Sequence, residues 1–228
     1  MLQINCPNCG AKVTFRAGET VYAVCDHCAT GLVRDDVHIE SIGKVAVLQD
    51  SWSPLQIGTE GDFDGGHFFV VGKVVFEFDS GNWSEWFLSY NDGRTGWMTE
   101  AQGHYALSFE VPVSSPPLPL HAPQRQDFVV GKSHSIGGDS FTVVDIKEVT
   151  VSSAKGELPF KAFQGRESTV IDFTSEDSTR HRVDPREGDF VKFASYEFSE
   201  SDGVSLFVGS YRSFESLKLT NLRVVDGW

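Results

Sequence analysis

The stretch Gly58 to Val74, GTEGDFDGGHFFVVGKV, returns 73 positions later as Gly131 to Lys147, GKSHSIGGDSFTVVDIK. At that offset, without a gap, Gly58 falls on Gly131, Gly65 on Gly138, Phe68 on Phe141, Val70 on Val143 and Val71 on Val144. A later block realigns at an offset of 85 and pairs Asp92 with Asp177, Gly103 with Gly188 and Tyr105 with Phe190, so the second copy carries about 12 extra residues. In both stretches a glycine-rich turn precedes an apolar run of Val and Phe, the pattern of a hairpin feeding a strand. The fold is therefore read as mainly β, with two related small β-barrel or β-sandwich modules.

Working outward, the first module is strand and turn throughout. Asp64-Gly65-Gly66 predicts a tight turn into Phe68–Phe78, where Val74, Phe76 and Phe78 share a face by the two-residue period of a strand. Asp79–Asn82 makes the next turn, Trp83–Tyr90 the next strand, and Asn91–Arg94 a hairpin into Thr95–Met98. No apolar pattern of helical period interrupts this meander. The second copy repeats the turn and strand but has no tryptophan matching Trp83, Trp86 or Trp97, so the two surfaces differ. It carries a local basic patch instead, Arg180, Arg182 and Arg186.

All four cysteines precede these modules, as Cys6-Pro7-Asn8-Cys9 and Cys25-Asp26-His27-Cys28 with fifteen residues between the pairs. Each C-x2-C turn aims two thiolates at one point, and four thiolates fill a tetrahedral zinc shell with no position left for water or substrate. The metal is therefore read as structural zinc and the segment as a zinc ribbon, with strands at Val13–Phe15 and Thr20–Val24 joined by an Ala17-Gly18 turn. His27 lies between two ligands, but the shell is full without it. Two disulfides are the competing account; paired C-x2-C turns in a chain with no recognisable secretion signal fit a metal better.

Composition narrows the classes. Aromatics make up 12% of the chain and hydrophobic residues 40%, which fits a globular β protein. No apolar run reaches the roughly 18 residues that span a bilayer, so membrane insertion is not expected and the protein is read as cytoplasmic. The net charge is −13, and residues 51–112 carry two basic against nine acidic side chains. Such a surface repels a phosphate backbone, which argues against nucleic acid as a partner.

Five of the nine prolines fall between Pro112 and Pro123, predicting an extended connector. The resulting division is a zinc ribbon at 1–36, a linker at 37–51, a first β module at 52–111, a proline-rich spacer at 112–125 and a second β module at 126–228.

The CPNCG and CDHC knuckles, the Gly58–Gly72 block, WSEWFL, DGRTGWM and the closing LFVGSYRSFESLKLTNL together resemble a bacterial domain-of-unknown-function family, number 4178. The resemblance covers nearly the whole chain, with an N-terminal ribbon and tandem copies of the domain. It implies no chemistry. It does imply a setting, since genes of that family tend to lie beside genes for polyamine-synthase-like and membrane-stress proteins.

No phosphate loop, nucleophile elbow or zinc-hydrolase motif is present. The best surface for a ligand or partner is Trp83, Glu85, Trp86 and Trp97. If Trp86 is core, Trp83 and Glu85 form an exposed aromatic and acidic pair that suits a cation. His67 and His104 have no recognisable orienting partner in the sequence. The expectation is a non-catalytic adaptor with a protein partner; the alternative is a binder of polyamine-like cations, or an accessory enzyme of polyamine metabolism.

Overall fold

The computed structural model describes residues 2–35, 38–46, 53–113, 123–175 and 191–225. Most of the proline-rich spacer, the basic Arg180, Arg182 and Arg186, and the partners Asp177, Gly188 and Phe190 of the second alignment lie outside the described residues. The fold is mainly β and antiparallel, and the chain divides into two compact units.

Unit 1 comprises residues 1–101, 150–166 and 214–228. Its N-terminal part holds two knuckle hairpins. Strand β1 (Leu2–Asn5) pairs with β2 (Lys12–Phe15), and β3 (Tyr22–Val24) pairs with β4 (Thr30–Asp35). The sequence reading joined β2 directly to β3. Instead each strand pairs across its own cysteine turn, because a C-x2-C turn itself reverses the chain and so closes a hairpin within each pair of ligands. Phe15, Val13, Ala23 and Leu32 pack with Cys6 and Cys25 into a small apolar cluster. Residues read as linker begin as strand β5 (His38–Lys44), paired with β4.

The meander follows as predicted. Strand β6 (Glu60–Phe63) turns at Asp64-Gly65, both at positive φ, into β7 (Gly66–Phe78), which pairs with β8 (Gly81–Tyr90), and β8 with β9 (Thr95–Ala101). A bulge between Val70 and Gly72 breaks the β7–β8 register. One edge of β7 is shared by β6 and, further along, by the later part of β12 (Asp139–Leu158), whose Glu157 and Leu158 go on to pair with Ala23 and Tyr22 of β3. The cysteine-bearing segment is thus stitched into the β7 sheet through β12.

Unit 2 comprises residues 102–149 and 167–213. Strand β10 (His104–Val111) pairs with β15 (Gly203–Arg212), β15 with β14 (Lys192–Ser199), and β14 with β13 (Glu167–Ser175). Strand β11 (Ser133–Ile136) pairs with the start of β12. Phe128, Ile136, Phe141, Val143, Ile171 and Phe173 form its core.

The two 73-residue-spaced stretches make the same local hydrogen bonds. The Gly58 amide donates to the Val70 carbonyl at 2.8 Å, and the Gly131 amide to that of Val143 at 2.8 Å; the reciprocal amides of Val70 and Val143 donate to Thr59 and Lys132. Phe68 and Phe141 are both buried, whereas Val71 is buried and Val144 exposed. The compact units do not follow the successive boundaries read from the sequence, because residues 150–166 and 214–228, read as second module, pack in unit 1.

The β7–β12 pairing rests on Gly72 opposite Gly156. A Cβ on Gly72 would lie 1.8 Å from the Glu157 carbonyl oxygen, and one on Gly156 would lie 2.4 Å from that of Val71. Both neighbours are backbone and cannot turn aside. Gly72→Ala is expected to lower unfolding free energy by about 3 kcal/mol in urea titration, whereas Gly81→Ala, with nothing closer than 3.5 Å, stays within about 0.5 kcal/mol.

Candidate functional site

The first knuckle turns because Cys6 opens and closes a backbone loop: its amide donates to Ala11 at 2.7 Å, and its carbonyl accepts from Gly10, which sits at positive φ. In the second, Cys25 does the same with Thr30 and Ala29. These two turns bring the Sγ atoms of Cys6, Cys9, Cys25 and Cys28 within 4.8 Å of one another. Cys6 and Cys28 stand 3.7 Å apart, and Cys9 and Cys25 3.8 Å. A tetrahedron of metal–sulfur bonds of about 2.3 Å has edges of about 3.8 Å, so the spacing is that of a metal site, compatible with a metal such as zinc. It is far from the roughly 2.05 Å of a disulfide, and all four cysteines are free.

The charge state of the cluster points the same way. The Thr30 hydroxyl, 3.2 Å from Cys28 Sγ, and the Asn8 amide at 3.5 Å pull the Cys28 thiol down to about 5. At Cys9 the Ala11 amide also favours the thiolate, but desolvation and the three neighbouring sulfurs outweigh it and push that thiol up to about 12. Like charges this close do not all ionise alone; a divalent cation at their centre removes the repulsion. The sequence reading overlooked Asn8 and Thr30. Their signal was position, one inside the first knuckle and the other two residues past the last ligand. His27 is exposed and outside the sulfur cluster.

Glu157 supports the ribbon from below. Its side chain is buried, and its carboxylate accepts from the backbone amides of Arg16 at 2.5 Å and Ala17 at 3.2 Å, and from the Arg16 guanidinium at 3.3 Å. Burial raises its pKa; the donors offset part of that penalty.

The four residues marked as a ligand or partner surface separate into different surroundings. Trp83 stacks on Phe76 at 5.4 Å and tilts against Phe78 at 5.6 Å, and its indole N–H donates to Glu85 at 2.9 Å. Both are half-buried. Trp97 is buried between Phe87 at 5.0 Å and Phe160 at 6.0 Å. Trp86 is buried on the opposite face of β8, donates to Glu100 at 3.0 Å and lies 4.4 Å beneath the Lys73 ammonium.

His67 has partners invisible in linear order. The β6–β7 hairpin places Asp62 2.9 Å from its Nδ1 and Glu60 3.2 Å from its Nε2. No nucleophile accompanies it in those contacts.

Residues 56–204, well over half of the chain, match the family model described as "Domain of unknown function (DUF4178)" in one span. No curated protein and no solved structure matches the chain.

The Asp62 and Glu60 contacts raise the His67 pKa above 6.5. Its contribution to stability is therefore complete below the unfolded value near 6.5 and is lost as pH rises through the higher folded value. An NMR titration of the His67 ring is expected to show a midpoint above 6.5 that moves back toward 6.5 in Asp62→Asn.

Proposed function

We propose that this chain, which belongs to the DUF4178 family, is a non-catalytic interaction protein whose ribbon is held by a structural zinc ion on Cys6, Cys9, Cys25 and Cys28. The observation that carries the reading is the four-sulfur cluster with near-tetrahedral spacing. Four thiolates leave no open coordination position, so the ion would organise the fold rather than polarise a substrate. The repeated hydrogen-bond pattern at Gly58 and Gly131 supports two divergent copies of one β motif. Divergence at Val71 and Val144, one buried and one exposed, fits surfaces adapted to different contacts. The partner is a protein, with the face of β8 that carries Trp83 and Glu85 as its docking surface.

Polyamine binding at Trp83 and Glu85 has weaker support. The Glu85 carboxylate already accepts the indole N–H, and the Trp83 ring packs against two phenylalanines. Among the described residues no helix is long and apolar enough to cross a membrane.

Elemental analysis of the purified chain is expected to give one zinc per molecule, and cobalt substitution the charge-transfer absorption of a tetrathiolate. Cys25→Ser should bind the metal at least about tenfold more weakly and lose ribbon structure. Zinc content below half an equivalent after refolding with excess metal sinks the structural role. The interaction reading is tested by quantitative affinity capture from native cells: a protein retained by the wild type and lost with folded Trp83→Ala is expected. No enrichment over an untagged control overturns it.

A further inference from the structure

Unit 1 contains a cavity of about 680 Å³ beside the second cysteine knuckle. Among the described residues that line it, cationic side chains outnumber carboxylates. In a chain of net charge −13, the described residues that line the cavity include Lys44, Lys73, Lys155 and Arg223, beside Asp26 and the sulfurs of Cys25 and Cys28. Val24, Val45, Leu55 and Ile57 supply apolar wall between them.

The strand register explains how the cations converge. Lys155 of β12 lies directly opposite Lys73 of β7, and Lys73 directly opposite Trp86 of β8. Side chains opposite one another in neighbouring strands share a face, and like charges so placed destabilise the sheet. Lys73 is only 5% exposed, and its ammonium lies 4.4 Å over the Trp86 ring, a cation–π contact. Burial, Arg223 and Lys155 all depress the Lys73 pKa, with Glu100 acting against them. Arg223 is anchored by its guanidinium on the Ser53 carbonyl at 2.8 Å and by its amide on that of Pro54 at 2.8 Å. An anion entering the cavity would meet several cationic side chains at once, in surroundings drier than bulk water.

We infer that this cavity is a binding site for a small organic anion, a carboxylate or phosphate head carried on an apolar or flat body. The head meets Lys155, Lys73 and Arg223, and the body lies against Trp86, Leu55 and Ile57. A volume near 680 Å³ falls within the range of small-molecule sites, and mixed apolar walls with a few convergent charges are their usual lining. The site stands apart from the interaction reading, since it uses neither Trp83 nor Glu85.

Calorimetry on the zinc-loaded full chain tests this with two probes of the same body and opposite charge, 1-naphthyl phosphate and 1-naphthylmethylamine. Naphthyl phosphate is expected to bind saturably, one per chain, and the amine not to bind. Exposed Lys155→Glu should weaken phosphate binding at least about tenfold, while Lys12→Glu, the same charge change on β2 outside the cavity, should stay within about twofold. Circular dichroism and zinc content show that each variant is folded, and Lys44→Glu serves as a second cavity variant. Three results overturn the inference: no saturable binding by the wild type, equal weakening by Lys12→Glu and Lys155→Glu, or binding of the amine as tightly as the phosphate. A fourth also overturns it: if Lys155→Glu lowers zinc affinity and leaves phosphate binding unchanged, the cations serve only to balance the tetrathiolate.

Discussion

Strands β7 and β12 approach at Gly72 and Gly156 more closely than any side chain permits, and the organisation of unit 1 depends on that approach. It lets β12 reach β3, so that the ribbon joins the sheet by backbone pairing at Glu157 and Leu158. The same step brings the Glu157 carboxylate under the loop that leaves β2. A buried carboxylate with no donors would be expelled or protonated. Here the Arg16 and Ala17 amides and the Arg16 guanidinium all point at it, and the Thr20 hydroxyl stands 3.4 Å away. A segment with a core as small as that around Phe15 and Leu32 therefore gains directional hydrogen bonds in place of extensive apolar burial.

Electrostatics in this chain is a local matter despite its large net charge. The acidic excess describes the average field, which falls away within about 10 Å at ordinary salt. Close to the second knuckle, three strands bring Lys155, Lys73 and Trp86 into one row, and the C-terminal segment adds Arg223. At the thiol cluster the neighbours differ from ligand to ligand: Thr30 and Asn8 favour a thiolate on Cys28, while desolvation and the other sulfurs raise the Cys9 pKa. Each site is governed by what lies within a few ångströms.

The parts of the fold legible in the sequence are those with local causes. Asp64-Gly65 makes its turn because both residues adopt positive φ, and the spacing of Gly58 and Gly131 reports a backbone hydrogen bond found in both stretches. The four cysteines were legible for a similar reason, since a C-x2-C turn carries its ligand geometry within a few residues. The hairpin drawn between Phe15 and Thr20 was not, because the knuckles pair each strand with a nearer neighbour. The aromatic group of Trp83, Glu85, Trp86 and Trp97 was legible as composition only. Alternation separates Trp86 from the others, but Phe76, Phe78 and Phe160 decide which rings are covered.

By itself the sequence determined the β class, the main turns and the clustering of four sulfurs, all consequences of residue chemistry acting over a few positions. Tertiary structure decided that residues 150–166 and 214–228 complete the N-terminal unit, that Glu157 sits under the ribbon and that four cations line one cavity. Those outcomes depend on strand register between segments about 70 to 140 residues apart, where a shift of one residue would turn every side chain to the other face. No local signal encodes that register; it is set by the shared burial of the partners and by the two glycines that let the backbones meet.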